Sequence, residues 1–143
     1  MKRLLIALFA LLVVQTLSAQ TAAISAEKKS VVVDNLATAI KSDNTGLQTS
    51  GAVVLSNLIS DSYLESSDGS SVLIPLLKML KDGKTDEERI AAAVALYQLG
   101  NTIGIYSLRG VAVYDDNEKV ATVCKNLYYS YHKLHGSEYL VTF

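Results

Sequence analysis

The chain of 143 residues carries 13 basic and 14 acidic side chains, and its net charge is −1 with neutral histidines. Hydrophobic residues make up 50% of it, while glycine occurs eight times and proline once, a balance that favours one globular domain with long regular elements. After residue 19 the only adjacent basic pair is Lys28-Lys29, so the clustered basic face of a nucleic-acid-binding protein is excluded.

Residues 1–19 have the features of a secretory signal peptide. Lys2 and Arg3 precede an apolar run of 11 residues, and Leu17-Ser18-Ala19 supplies a site suited to cleavage. The run is about half as long as the ~20 residues that a membrane-spanning helix needs. We therefore expect an exported protein, periplasmic or secreted, with no membrane span in its mature form; a retained anchor is the alternative.

The predicted domain organisation continues with a flexible leader over residues 20–29, a helical domain over residues 30–135 and a tail over residues 136–143. The first two helices are separated by the polar stretch SDNTG, which begins at residue 42. Their inward positions recur at helical spacing and are Val33, Leu36 and Ile40 in the first helix, and Leu47, Gly51, Val54, Leu55 and Leu58 in the second.

A loop is predicted over residues 60–71, where serine and aspartate predominate. In the third helix that follows, Pro75 falls in the first turn, where its missing amide hydrogen costs little, and Asp82-Gly83 marks the end. The predicted inward positions of this helix are Leu73, Leu76, Leu77 and Leu80.

The fourth helix is predicted to begin at Thr85 or Asp86, because the carboxylates that follow are favoured at the positive end of a helix. It is apolar on two sides and rich in alanine, which predicts a helix packed between neighbours. Gly100 is expected to end it. Its two apolar sides are Ile90, Val94 and Tyr97, and Ala92, Leu96 and Leu99.

Two further helices complete the predicted domain. The fifth runs from about Thr102 to Tyr114, and the sixth begins near Asn117. Cys124, the only cysteine, lies on the apolar side of the sixth helix and is interpreted as a buried apolar residue, with a reactive or intermolecular thiol as the alternative. The inward positions are Ile105, Leu108, Val111 and Ala112, then Val120, Cys124, Leu127, Tyr131 and Leu134.

The six predicted helices form three pairs whose connecting turns are alike, a pattern typical of stacked repeats. The stretch IPLLKMLKDGKTDEERIAAAVALYQLG, from residue 74, resembles a HEAT repeat: it has an early Pro75, Asp82 at the turn, Arg89 opening the second helix and the pair Ala92-Ala93. The resemblance implies an all-α fold, an armadillo-like right-handed α-α superhelix (α-solenoid) of about three HEAT-like helix pairs. It is specific over residues 72–100 and looser on either side.

In that family an aspartate and an arginine form a structural ladder between successive turns. Here the resemblance implies that Asp43, Asp82, Arg89 and Asp115 carry it, although Gln48 and Ala121 stand near the place of the arginine in the first and third pairs. The whole chain also resembles small exported bacterial proteins built of such repeats, for which no common activity is established.

Catalytic chemistry is not expected. His132 and His135 lack a carboxylate at helical spacing and make a poor metal site. Cys124 and His132 would be separated by roughly 12 Å along one helix, too far for proton transfer. The carboxylates at residues 86–88 are explained by their place at a helix terminus. We therefore expect no catalytic residue, metal or cofactor.

Binding is expected on the second helix of each pair, which usually lines the concave face of stacked repeats. Tyr128, Tyr129 and His132 form the most distinctive group, because tyrosine offers a large contact area at low entropic cost. The alternative is that the tail covers the last helix through Tyr139, Leu140 and Phe143. The predicted partner-binding residues are Gln48, Asn57, Gln98, Tyr128, Tyr129 and His132.

The sequence thus predicts an exported, non-catalytic scaffold that mediates protein–protein interaction with an unidentified protein partner. A self-associating structural protein, which stacks through the ends of its repeats as a homo-oligomer, is the alternative.

Overall fold

The computed structural model describes residues 25–136, and every regular element in that range is helical. The prediction of an all-α fold is confirmed for this part of the chain. The predicted signal peptide and the tail beyond Gly136 lie outside the described residues. The elements are α1 (Ala26–Ile40), α2 (Thr45–Ser60), a 3-10 helix (Ser66–Val72), α3 (Leu73–Asp82), α4 (Asp86–Leu99), α5 (Thr102–Tyr114) and α6 (Glu118–Leu134).

Side-chain caps define where most of these helices begin. In each case an oxygen of the capping side chain accepts a hydrogen bond from a backbone amide of the first turn, which would otherwise lack a partner. The predicted start at Thr85 and the predicted end at Gly100, whose φ is 59°, are both confirmed. The capping residues are Ser25, Asn44, Thr85, Asn101 and Asn117.

Two elements extend into segments that were predicted to be irregular. Residues 26–29, the end of the predicted leader, belong to α1, since the hydroxyl of Ser25 caps that helix. Part of the predicted loop at residues 60–71 forms the 3-10 helix, which packs against α1. A Cβ atom at Gly69 would lie 2.3 Å from Leu99 Cδ2, so a larger residue at this position would force the Leu99 side chain to shift.

The helices pack as three consecutive pairs, α1 with α2, α3 with α4 and α5 with α6. The second helices form a row in which α4 contacts both α2 and α6, and among the first helices α3 contacts both α1 and α5. The position of α4 confirms the prediction of a helix packed between neighbours. Its alanines at 92, 93 and 95 are completely buried, so their small size allows close approach on several sides.

The buried face of α2 differs from the prediction. Gly51 and Leu55 face the core as predicted, together with Ala52, but Leu47 and Val54 were expected inside and are exposed. A Cβ atom at Gly51 would lie 3.1 Å from both Ala39 Cβ and Ile40 Cγ1, so the glycine sets the close contact with α1. Small residues at the contact, rather than the largest apolar ones, therefore decide how this helix is oriented.

The end of α6 also differs. Leu134 was predicted to be inside but is exposed, whereas Tyr128, which was placed at the edge of the apolar side, is buried. The Tyr131 hydroxyl donates a hydrogen bond to the Gly100 carbonyl 3.1 Å away, just before α5 begins. The last turn of α6 thus extends past the first residue of its partner helix, and Leu134 there is exposed rather than packed against another described helix.

Candidate binding surfaces at the two junctions

The junction between the second and third helix pairs, here called the second junction, is bridged by Arg89. Its Nε donates to the Leu80 carbonyl at 2.8 Å, and its Nη1 donates to Asp115 Oδ1 at 3.1 Å. Its Nη2 donates to the other carboxylate oxygen of Asp115. The guanidinium thus contacts the end of α3 on one side and the Asp115 carboxylate on the other. Its contact with the carboxylate is bidentate, the geometry that arginine and carboxylates favour.

Electrostatics agree with this geometry. The hydrogen bond from Arg89 lowers the pKa of the Asp115 carboxyl, and a hydrogen bond from the Asn117 amide lowers it further against the opposing effect of burial. The same hydrogen bond raises the pKa of Arg89. Both side chains are mostly buried, so the ion pair is shielded from solvent better than a surface pair.

Three further contacts cross the second junction. Asn117 Nδ2 donates to Asp86 Oδ1 at 2.7 Å. Lys119 Nζ lies 3.5 Å from Asp86 Oδ2 and 3.3 Å from Glu87 Oε1. The carboxylates of Asp86 and Glu87 at the start of α4 therefore do more than stabilise that helix terminus, because they also bind side chains at the start of α6.

The junction between the first and second pairs, here called the first junction, contains a groove of about 620 Å³. Its walls come from the end of α1, the start of α2, the outer side of α3 and the α3–α4 turn. At its edge the buried carboxylate of Glu88 accepts a hydrogen bond from the Lys84 amide at 2.8 Å, which fixes that turn. The charged and polar residues that line the groove are Lys41, Asp43, Gln48, Ser71, Lys78, Asp82, Lys84 and Glu88, and Ile74 and Pro75 are among the apolar ones.

The two junctions differ at two equivalent positions. Four residues after the helix caps Asn44 and Thr85, the first pair has Gln48 where the second has Arg89. At the carboxyl cap of the preceding helix, the second pair has Gly83 where the third has Asp115. The first junction thus lacks both members of the ion pair. An aspartate could not replace the glycine without a shift, since a Cβ atom there would lie 2.6 Å from the Met79 carbonyl oxygen.

This comparison revises the predicted ladder. Arg89 pairs with Asp115, as the ladder requires, but Asp82 is one position away from the equivalent of Asp115 and is exposed. Asp43 is exposed as well, and within residues 25–136 neither Asp43 nor Asp82 forms an ion pair. Both lie along the first-junction groove instead.

The predicted partner-binding residues fall into separate places. Gln48 lines the first-junction groove, and Asn57 is exposed on α2. Gln98 is half-buried on α4, where its backbone carbonyl accepts a hydrogen bond from Ser66 Oγ at 3.2 Å and so helps to hold the 3-10 helix. Tyr128, Tyr129 and His132 lie on α6, at the opposite end of the row α2, α4, α6 from Gln48 and Asn57. The structure therefore does not join the six residues into one site.

The predicted aromatic residues on α6 contact one another, but they are not all exposed to solvent. The ring centroids of Tyr128 and His132 are 4.4 Å apart, and those of Tyr128 and Tyr129 are 6.4 Å apart. Tyr128 is buried, and burial raises the pKa of its hydroxyl, an effect that Arg109 opposes. Tyr129 is the exposed member and His132 is half-buried. Tyr128 is thus a core residue and not the accessible contact that was predicted.

Sequence reasoning missed an apolar surface on α5. Ile103, Tyr106, Val113 and Tyr114 are all exposed, on the side away from the buried residues of that helix. The signal was present in the sequence, because α5 has apolar residues at helical spacing on two sides and only the inward one was used.

A second cavity, also of about 620 Å³, lies between α1 and the 3-10 helix. Lys29 in its wall is already paired with Asp68 at 3.5 Å and with Glu65 at 3.8 Å. Three of the four charged groups of this cavity therefore pair with one another, whereas Asp34 in its wall forms no ion pair among the described residues.

Cys124 is completely buried, and burial raises the pKa of its thiol to about 12. The thiol is therefore protonated near neutral pH and is a poor nucleophile. This confirms its interpretation as a buried apolar residue. Within residues 25–136 no three histidine, cysteine, aspartate or glutamate side chains are grouped so that they could hold a metal ion. No helix in that range is both long and apolar enough to cross a membrane.

In comparisons with known proteins, no protein-family model, curated protein or solved structure matches this chain.

Proposed function

We propose that this protein is an exported, non-catalytic scaffold that binds a protein partner. Its three helix pairs would stack as HEAT-like repeats in a short right-handed α-solenoid. Two contacts support this arrangement: the second helices α2, α4 and α6 pack in sequence, and Arg89 links its own pair to the turn of the next pair. The resemblance of residues 72–100 to a HEAT repeat agrees with it.

The open first-junction groove is the observation that carries the binding role. The second junction is closed by hydrogen bonds and ion pairs, whereas the groove presents basic and acidic side chains without an ion pair between them among the described residues. Ile74 adds an exposed apolar surface beside Pro75. An extended segment of a partner protein, with side chains of both charges around an apolar residue, fits such a lining.

The experiment is affinity capture from the envelope fraction of cells that express the full chain, followed by mass spectrometry. Lys78→Glu reverses a charge in the groove, and Lys81→Glu makes the same change on the same helix outside the lining. We expect a partner that is retained at moderate salt to be lost with Lys78→Glu and kept with Lys81→Glu. Equal retention by both variants would exclude the groove as the binding site.

A further inference from the structure

The exposed apolar surface of α5 forms one continuous stripe. At 3.6 residues per turn, its five members fall within a sector of about 100° on the helix. The exposed fractions of its two tyrosines are 65% and 83%. A large apolar surface that faces solvent marks an interaction site more often than chance. The α5 stripe consists of the exposed residues Ile103, Tyr106, Val113 and Tyr114 and of the half-buried Gly110.

The matching side of α3 is apolar at one exposed place, where Ile74 aligns with Tyr106, but it is charged at three others. When the two helices are aligned at their carboxyl caps, Lys78, Lys81 and Asp82 occupy the places of Gly110, Val113 and Tyr114. All three of these α3 residues are charged and exposed. The equivalent side of α5 has no charged residue. It therefore lacks the charged side chains that interact with water on α3.

Gly110 is a second, independent observation. A Cβ atom at this position would meet nothing within 4 Å, so no close contact within the described residues requires a glycine here. Glycine in the interior of a helix is unfavourable relative to alanine. If the backbone of another helix packs closely against α5, the contact needs a residue without a side chain. Gly110, in the middle of the stripe, meets this requirement.

We propose that a second copy of this chain packs on the α5 stripe, with the two α5 helices antiparallel and a two-fold axis near Gly110. Tyr106 lies four residues before this glycine and Tyr114 four residues after it. An antiparallel pair therefore brings Tyr106 of each copy beside Tyr114 of the other, as a two-fold interface demands. Because the stripe has no charge, the identical surfaces do not repel each other.

The area available suits a dimer that depends on concentration. With about 200 Å² for a whole tyrosine side chain, Tyr106 and Tyr114 together offer about 300 Å² per copy. Ile103 and Val113 add roughly 150 Å². The total for both copies is at most about 900 Å², which is below the roughly 1,200 Å² at which stable interfaces begin and within the range of weak, transient ones.

Sedimentation equilibrium of the purified protein, expressed as the full chain, tests this proposal. We expect the mass to rise from monomer to dimer with concentration. Gly110→Glu places one carboxylate from each copy beside the two-fold axis, where the two like charges repel each other. We expect this substitution to weaken the dimer by at least ~10-fold. Glutamate favours a helix more than glycine does, so this variant should fold. Thr122→Glu, on the exposed side of α6, is the matched control and should leave the dimer unchanged.

Cross-linking tests the antiparallel orientation. A mixture of Tyr106→Cys and Tyr114→Cys proteins should form a disulfide more readily than either variant alone, while the buried Cys124 stays unreactive. A monomer at all concentrations, or a Gly110→Glu dimer as strong as the wild type, would overturn the proposal. So would a wild-type monomer that dimerises only when residues 137–143 are removed, since the tail would then be the occupant. The proposal is independent of the first-junction groove, whose variants leave the α5 stripe intact.

Discussion

The first and second junctions are built from the same kind of helix pair, yet within residues 25–136 an ion pair between neighbouring pairs is found at the second junction and not at the first-junction groove. There Arg89 contacts Leu80 and Asp115, and Lys119 contacts the carboxylates that open α4. At the first junction Gln48 and Gly83 stand at the equivalent positions, and a groove of about 620 Å³ remains. Two positions thus decide whether neighbouring pairs are linked by polar contacts or leave a surface for something else.

The largest expected effect of a substitution is at Arg89. Arg89→Ala removes three hydrogen bonds and leaves the mostly buried Asp115 without its counter-charge. We expect the free energy of unfolding to fall by about 2 to 3 kcal/mol. Urea denaturation measures it. Gln48→Ala, at the equivalent position of the first junction, is the control and should cost less than ~0.5 kcal/mol. An equally small loss for Arg89→Ala would contradict its bridging role.

A smaller effect, with a defined pH dependence, is expected at Asp115. The pKa of this carboxyl is lowered in the folded protein from an ordinary value of 3.8, so the ion pair stabilises the protein above that value. The stabilisation is lost as the pH falls through the lower pKa of the folded state. Asp115→Asn should therefore cost about 1 to 2 kcal/mol at pH 7. The difference in the free energy of unfolding between the wild type and Asp115→Asn should shrink below pH 3.8.

Urea denaturation of the wild type and of Asp115→Asn at several pH values between 7 and about 2.5 measures this difference. Asp82→Asn is the matched control, because its carboxyl is exposed and forms no ion pair among the described residues. A difference between the wild type and Asp115→Asn that stays constant over the whole range would show that the charge of Asp115 does not contribute.

The smallest effect on stability is expected for Gln48→Arg. The new guanidinium would find Gly83 where Asp115 stands in the second junction, so we expect a change within about 0.5 kcal/mol. It would nevertheless enter the groove and should reduce capture of the partner. Thermal unfolding and affinity capture, measured on the same protein, separate these two results. A gain above ~1 kcal/mol would mean that another carboxylate of the groove had replaced the missing aspartate.

Local signals in the sequence were sufficient to predict the helices. Thr85 and Gly100 mark the ends of α4 by their capping chemistry, and the bounds of α5 are those predicted. The orientation of α2 was not predictable in the same way. Gly51 and Leu55 were placed inward correctly, but Leu47 and Val54 are exposed, because the packing of α2 on α1 and α4 decides which of its apolar residues are covered.

The candidate site was less accessible to sequence reasoning. The predicted match of Asp82 with Asp115 is off by one position, because Asp82 is the last residue of α3 whereas Asp115 follows the end of α5. The groove could not be predicted at all, since it exists only where two helix pairs meet. The α5 stripe, by contrast, was visible as a second apolar side of one helix.

A double-mutant cycle between Arg89 and Asp115, run beside one between Gln48 and Asp82, tests the difference between the junctions most directly. Each cycle uses alanine substitutions and the free energy of unfolding in urea. We expect a coupling energy of about 1 to 3 kcal/mol in the first cycle and less than ~0.3 kcal/mol in the second. Equal coupling energies in the two cycles would contradict a bridged second junction and an open first one.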